Sequence, residues 1–265
     1  MTVILKNLLK TLLVLLAFLL AGLPGFSYAA NVNIAAASDL KFALEEVSKE
    51  FQKDTGQEVT LTFGSSGTFA TQIRNGAPFQ LFLSADEHYV RLLHKDKITY
   101  DDGVLYALGR IALVAPKGSA LAVDSELNGL SALIKANKLK RFSIANPEHA
   151  PYGQRAVEAL RHAGLWEAVQ PSLVLGENVS QAAQFAVSGS ADGGIIALSL
   201  AKSPQMADLA QYALIPAEWH TPLRQRMVLL KNAGPTAKAF YDYLQQPKAR
   251  GILSNYGFTL PESAQ

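Results

Sequence analysis

The stretch FGSSGTFATQIRNG, Phe63–Gly76, sets a glycine, two serines, a second glycine and a threonine directly ahead of an amphipathic segment. Upstream, Glu58–Phe63 (EVTLTF) alternates polar and apolar residues as a strand does. Downstream, Gly67–Arg74 reads as a helix stopped by Asn75-Gly76. The stretch is therefore a strand-to-helix junction, and two readings compete for its serines. One is a plain turn whose serine caps the helix by accepting one backbone N–H. The other is a site for something negative, with Gly64 and Gly67 allowing close backbone approach.

The same alternation extends outward. Val32–Ala36 (VNIAA) is a short apolar strand, and Ser38 opens a segment with Leu40, Ala43, Leu44, Val47 and Phe51 on one helical face. Gly56 is its C-terminal cap. Phe79–Leu83 reads as a strand and His88–His94 as a helix. This order predicts an α/β fold with mostly parallel sheets flanked by helices. Tyr106–Ala115 is a long extended run with a glycine inside, and Thr221–Leu230 is a second. Between them Leu127–Ala136, Gly153–Ala163 and Ser180–Val187 read as helices, and Arg141–Ala145, Pro171–Leu175 and Gly194–Ala197 as strands. Pro235–Gln245 and Pro247–Asn255 are closing helices.

Four junctions in all share this composition. Ser38 follows a strand and opens a helix, as does the Ser65-Ser66 pair. Tyr152-Gly153 and Asn178-Val179 do the same further along. In an open parallel sheet, ligands bind outside the carboxyl ends of the strands. Helix N-termini present free N–H groups and a partial positive charge there. Several converging on one point make an anion site without lysine or arginine.

The 265 residues suit two lobes of about 100–150 residues each, and 49% of them are hydrophobic. Met1–Lys10 carries two lysines and no acid, Thr11–Leu23 (TLLVLLAFLLAGL) is apolar, and Pro24-Gly25 breaks the run. Ser27 and Ala29 then stand at the spacing of a signal-peptidase site, so residues 1–29 read as a cleaved secretory signal. The apolar run is shorter than the ~20 residues that span a bilayer, which argues against an uncleaved anchor. There is no cysteine, so a disulfide, a thiolate metal site and a lipidated N-terminal Cys are all excluded. These features predict a soluble periplasmic protein. The 24 basic and 22 acidic residues become equal in number once Lys6 and Lys10 leave with the signal. With no basic run either, nucleic-acid binding has no support.

Enzyme readings find little. There is no nucleophile elbow of the G-x-S-x-G type and no phosphate loop. The histidines His88, His94, His149, His162 and His220 show no metal-ligand spacing. Asp86-Glu87-His88 reads as a polar strand end and helix start, Asp101-Asp102 as a solvated turn, and Trp166 and Trp219 as packing residues. An exported serine hydrolase using Ser66 would need a histidine base within hydrogen-bond reach. The nearest in sequence are His88 and His94. A purely structural envelope protein would bind no ligand at all.

The junctions also stand in a recognisable order: AAASDL (35–40), FGSSGT (63–68), GAPFQLFLSAD (76–86), NPEHAPYG (146–153), GENV (176–179), and FYDYLQQPKAR (240–250) followed by YGF (256–258). Together they resemble the periplasmic molybdate-binding proteins of ABC-type importers, over essentially the whole chain after the signal. The resemblance implies a two-lobed periplasmic binding protein fold of the two-crossing type. Lobe one would comprise residues 30–109 and 226–265, and lobe two residues 110–225. The two long extended runs would be the crossings, and the lobes would close over the ligand by hinge motion. The implied ligand is molybdate, and tungstate with it, bound as an oxyanion with no protein side chain on the metal and no cofactor. The implied partner is a membrane permease, and the chain is expected to be a monomer.

Carried over residue by residue, the resemblance implies that Ser38 and Ser66 each supply a hydroxyl and a backbone N–H, and that Tyr152 and Val179 supply backbone N–H groups. Many members carry a tyrosine where this chain has Ala197 in GIIA (194–197). Tyr152 stands in APYG, where other members have a small residue. The phenol of Tyr152 is therefore expected to approach the anion in its place, the alternative being a surface aromatic that offers only its N–H. Asp39 also carries two readings. It sits in a first helical turn and points outward, favoured by the helix dipole, or it accepts a hydrogen bond from the anion. Only a protonated anion such as hydrogen phosphate brings that proton, which fully deprotonated molybdate, tungstate and sulfate cannot, so Asp39 keeps phosphate as a competing ligand; sulfate is the other alternative oxyanion.

Overall fold

The computed structural model describes residues 32–261. The expected signal segment, residues 1–29, lies outside the described residues. In chain order the first elements are β1 (Asn33–Ala37), α1 (Lys41–Thr55), β2 (Thr60–Gly64), α2 (Ser66–Arg74), β3 (Leu81–Ser84), α3 (Glu87–Lys95) and β4 (Val104–Gly109). There follow β5 (Ile111–Pro116), α4 (Asn128–Lys135), β6 (Phe142–Ala145), α5 (Pro151–His162), α6 (Trp166–Val169), β7 (Leu173–Gly176) and α7 (Val179–Val187). Then come β8 (Gly193–Ala197), α8 (Leu198–Ala201), α9 (Pro204–Ala207) and β9 (Ala210–Leu214). The chain ends with β10 (Leu223–Leu229), α10 (Pro235–Tyr243) and α11 (Pro247–Asn255).

These strands form two five-stranded sheets, in the orders β2-β1-β3-β10-β4 and β7-β6-β8-β5-β9. Within the first, β1 pairs parallel with β2 and β3, and β10 runs antiparallel between β3 and β4. The second repeats the plan: β6 pairs parallel with β7 and β8, and β5 runs antiparallel between β8 and β9. Each sheet is thus mostly parallel with one reversed strand, and that strand is the one arriving from the other lobe.

The run Tyr106–Ala115, expected as one extended stretch, is two strands belonging to different sheets, β4 and β5, parted at Arg110. The chain returns between β9 and β10. Arg110 ties the two crossings together, its Nη2 donating to the Ile215 carbonyl at 2.9 Å. Strand β9 is absent from the sequence-based expectation. It is a sheet edge whose Tyr212 and Leu214 face solvent, so its sequence lacks the alternation that a half-buried strand displays.

Helices cover both faces of each sheet because their apolar stripes have only the sheets to bury against. Val47, Phe51, Phe240, Tyr243 and Leu253 pack on one face of the first sheet, and Phe69, Ile73, Val90 and Leu93 on the other. Phe51 meets Phe240 edge-on at 5.0 Å and Tyr243 at 5.3 Å between ring centroids, the geometry that aromatic quadrupoles favour. A third cluster, built on Ile111–Ala115, Phe142, Ile144 and Ile195–Ala197, fills the second lobe. It takes in Ala37 and Ala85 from strand ends of the first lobe, so the apolar packing runs on across the cleft.

Candidate functional site

The carboxyl ends of β1, β2 and β3 face the starts of α5 and α7 across a cavity of about 10 Å³, lined in part by Ser38, Asp39, Ser65, Ser66, Tyr152 and Val179. Sites for drug-sized molecules usually span ~300–1,000 Å³, so this one suits a small ion. All four residues expected to hold an anion line it, and so does Asp39. None is a lysine or arginine.

The two neighbouring serines divide the capping and the site between them. Ser65 caps α2, its hydroxyl accepting from the Thr68 N–H at 3.4 Å. That leaves the Ser66 hydroxyl free of the cap, and it accepts instead from the Ala85 N–H at 2.9 Å. Ser38 sits alike in the short helical turn 38–40, its hydroxyl accepting from the Ser180 N–H of the other lobe at 3.3 Å. A hydroxyl whose lone pair is taken by a backbone donor has its own proton left to give. Among the described residues neither proton has an acceptor. The N–H groups of Ser66, Tyr152 and Val179, in the first turns of α2, α5 and α7, have no carbonyl partner within their own helices. Asn178 caps α7 through Ser180 and Gln181, which leaves the Val179 N–H uncapped.

Tyr152 is 2% exposed, which sets aside the reading of a surface aromatic. Its hydroxyl does not end in open cavity either. It donates to Asp39 Oδ2 at 3.0 Å and accepts from Gln225 Nε2 at 3.0 Å. Asp39 is 1% exposed, so the reading that points it outward is corrected: the turn carrying it packs against α8, where the Ser199 hydroxyl donates to the Asp39 carbonyl at 2.7 Å. Gln225 Nε2 donates to Asp39 Oδ2 at 2.6 Å, and the Tyr106 hydroxyl donates to Gln225 Oε1 at 2.7 Å, which fixes the amide orientation. Asp39 Oδ1 is buried with no hydrogen-bond partner among the described residues. Burial raises the Asp39 carboxyl to about 7, partly offset by the hydrogen bonds from Gln225 and Tyr152 and by the nearness of the backbone N–H groups of Asp39 and Leu40. The Tyr152 and Tyr106 phenols are pushed up by burial and by the neighbouring Asp39.

Gln225, Tyr106 and Ser199 were not anticipated from sequence. Gln225 had a signal: it falls between Leu223 and Met227 on the inward face of β10, all three fully buried, and a polar residue there must find partners.

The lobes touch through several further bonds. The Gly67 N–H donates to the His149 carbonyl at 2.9 Å, and His149 Nδ1 lies 2.8 Å from the Ser65 hydroxyl. The histidine near this site thus meets Ser65, not Ser66. His88 opens α3 as the residue whose N–H is capped by Asp86, and His94 Nδ1 bonds the Thr99 hydroxyl at 3.1 Å. Among the described residues no histidine bonds the Ser66 hydroxyl.

Comparison with known proteins agrees with this architecture. The chain matches the family of bacterial extracellular solute-binding proteins over residues 32–259. It is 37% identical over 235 residues to the molybdate-binding protein ModA of Azotobacter vinelandii, covering 88% of this chain and 91% of that one. It is 33% identical over 236 residues to the protein of the same name from Escherichia coli (strain K12), covering 87% and 89%. The solved structure of the Azotobacter vinelandii periplasmic molybdate-binding protein superposes with a TM-score of 0.79 at 29% identity, over 88% of this chain and 100% of that one. With its two lobes, two crossings and anion-sized cleft, the chain belongs to the bacterial extracellular solute-binding proteins.

Proposed function

We propose that this protein captures molybdate, and tungstate with it, between its two lobes and delivers it in the periplasm to the membrane permease of an ABC importer. It does no chemistry on the anion. Lobe one comprises residues 30–109 and 226–265 and lobe two residues 110–225, and the chain acts as a monomer after loss of residues 1–29. The names of the relatives support the ligand.

One observation carries the reading. Ser38 and Ser66 each have a hydroxyl lone pair occupied by a backbone N–H, so both protons are left for an acceptor in the same small cavity. Their own N–H groups, with those of Tyr152 and Val179, complete the donor set. A buried dianion can be held by neutral dipoles because helix starts supply partial charge already fixed in place. Hydrogen bonds to a charged group contribute roughly 1.5–3 kcal/mol each, so half a dozen offset much of its desolvation. Sulfate presents the same charge and acceptors, so discrimination between the two rests on cavity size.

Thermal unfolding of the processed protein with equal excess of molybdate, tungstate, sulfate or phosphate tests this. A ligand at ~1,000 times its Kd adds ~4 kcal/mol. Stabilisation by molybdate and tungstate is expected. Stabilisation by phosphate or sulfate alone would replace the ligand, and none by any anion would sink the binding-protein reading.

A further inference from the structure

Asp39 poses a problem for any dianion site. It lines the cavity, it is 1% exposed, and an ionised carboxylate there would repel the ligand. The arrangement of its two oxygens offers the way out. Oδ2 is saturated as an acceptor, by the Tyr152 hydroxyl at 3.0 Å and Gln225 Nε2 at 2.6 Å. Oδ1 has no partner among the described residues. A carboxyl whose one oxygen accepts twice and whose other is unpartnered is built to carry a proton on the second. A buried hydroxyl of that kind needs an acceptor, and the fully deprotonated oxyanion provides one.

We propose that Asp39 holds a proton on Oδ1 and donates it to an oxygen of the bound oxyanion, so that each anion is taken up together with one proton. The inference rests on the anion-binding reading and goes beyond it, because it makes Asp39 a ligand in its protonated form only. The proton comes from solvent and no covalent bond changes apart from its attachment to Oδ1. The groups facing Asp39 fit this. From α5 and β4 come the phenols of Tyr152 and Tyr106, both held neutral by burial. From β10 comes the uncharged Gln225 amide, and from α8 the Ser199 hydroxyl, which donates to the Asp39 carbonyl. Lys41, on α1, lines a separate groove with Thr62 and Asn178. His149 meets Ser65 and lies 3.5 Å from Glu177. No lysine, arginine or histidine bonds the Asp39 carboxyl among the described residues, so nothing cationic holds it ionised. Burial, offset only in part by the hydrogen bonds from Gln225 and Tyr152, places its titration at about 7.

Linkage then sets the sign. Without anion, Asp39 loses its proton as pH rises through its free value; with anion bound, the proton is held to higher pH. Between the two values the observed affinity falls by up to tenfold per pH unit, and one proton is absorbed per anion. The test is calorimetric titration of the exported, processed protein with sodium molybdate at about pH 8, in two buffers of different ionisation heat. Expected is an uptake approaching one proton per anion, and an affinity that falls as pH rises from about 7. Asp39→Asn keeps an acceptor oxygen for Tyr152 and Gln225 and offers an amide N–H to the anion. It should bind molybdate with no proton uptake and a flat pH profile. Binding by the unaltered protein without proton exchange would overturn the proposal and leave the binding-protein reading intact. Uptake that persists in Asp39→Asn would also overturn it, because the proton would then be held by another group. Absence of binding by either protein would overturn both readings.

Discussion

Arg155 of α5 reaches Asp86, the N-cap of α3, at 2.8 Å between Nη2 and Oδ2, and joins the two lobes by an ion pair whose side chains are 9% and 18% exposed. Asp86 serves twice, because its other oxygen accepts from the His88 N–H at 2.9 Å. Arg155 has a second partner in its own lobe, Glu158, at 2.6 Å. The pair spans the two lobes, while each partner also keeps a hydrogen bond within its own lobe.

Asp86→Ala should accordingly weaken closure and, to a lesser extent, the start of α3 that it caps. Truncating one member of a buried pair usually costs ~3–5 kcal/mol. Here Glu158 retains the guanidinium, so a loss of about 1–2 kcal/mol is expected, part of it from the lost cap. The readout is a molybdate affinity lower by about tenfold. An unchanged affinity would remove this pair from the closure mechanism.

Gly67 has a steric role in the same closure. A Cβ added there would lie 2.7 Å from the His149 carbonyl oxygen and 3.0 Å from its Cα, both backbone atoms of the opposite lobe. No rotamer change relieves that contact, so Gly67→Ala must separate the lobes or give up the Gly67–His149 bond. Molybdate affinity should fall by at least tenfold while the unfolding midpoint without anion changes little. The affinity series and a thermal scan without ligand check the two halves of this statement.

In the proposed site Ser66→Ala removes one donor to the anion, and it leaves the Ala85 N–H without its acceptor. Loss of a hydrogen bond to an ion, at roughly 1.5–3 kcal/mol, corresponds to one to two decades in Kd. Titration calorimetry with molybdate measures it directly. Full affinity in this variant would exclude the Ser66 hydroxyl from the donor set.

Tyr152→Phe acts through Asp39. The phenol stabilises the ionised carboxyl by donating to Oδ2, so its loss raises the Asp39 pKa further above about 7. The pH at which molybdate affinity begins to fall should move upward, with only a modest change in affinity near neutrality. A downward shift would contradict the hydrogen-bond assignment.

Asp39 also sets a stability profile without anion. Its folded pKa of about 7 lies above the ordinary value of 3.8, so the folded form binds the extra proton. Stability therefore declines as pH rises from about 4 to about 7 and stays lowered above that. A rise of that size bounds the effect at ~4 kcal/mol. Asp39→Asn cannot ionise and should raise the unfolding midpoint at about pH 8 but leave it almost unchanged at about pH 4. Equal effects at both pH values would mean that packing, not ionisation, is responsible.

Much of this was legible in the linear sequence because it depends on short-range chemistry. The period of Leu40, Ala43, Leu44, Val47 and Phe51 specified a helix wherever it packed, and all but the first lie in α1. The serines, Tyr152 and Val179 were marked by their place after strands and before helices. The pairing of residues far apart was not legible. Nothing local to Asp39 says that Tyr152 and Gln225 meet it, separated by 113 and 186 residues. Ser65 and Ser66 could not be told apart in role until the cap and the Ala85 bond were seen.

The sequence by itself thus determined most of the elements, their alternation and the family, since propensity, periodicity and capping act within a few residues. Only the tertiary structure decided which way Asp39 points, which of its oxygens is left open, and that Tyr152 serves the carboxyl. Those facts follow from how two lobes close on one small cavity. Burial and the geometry of distant partners, rather than residue type, set the charge that a carboxyl carries there.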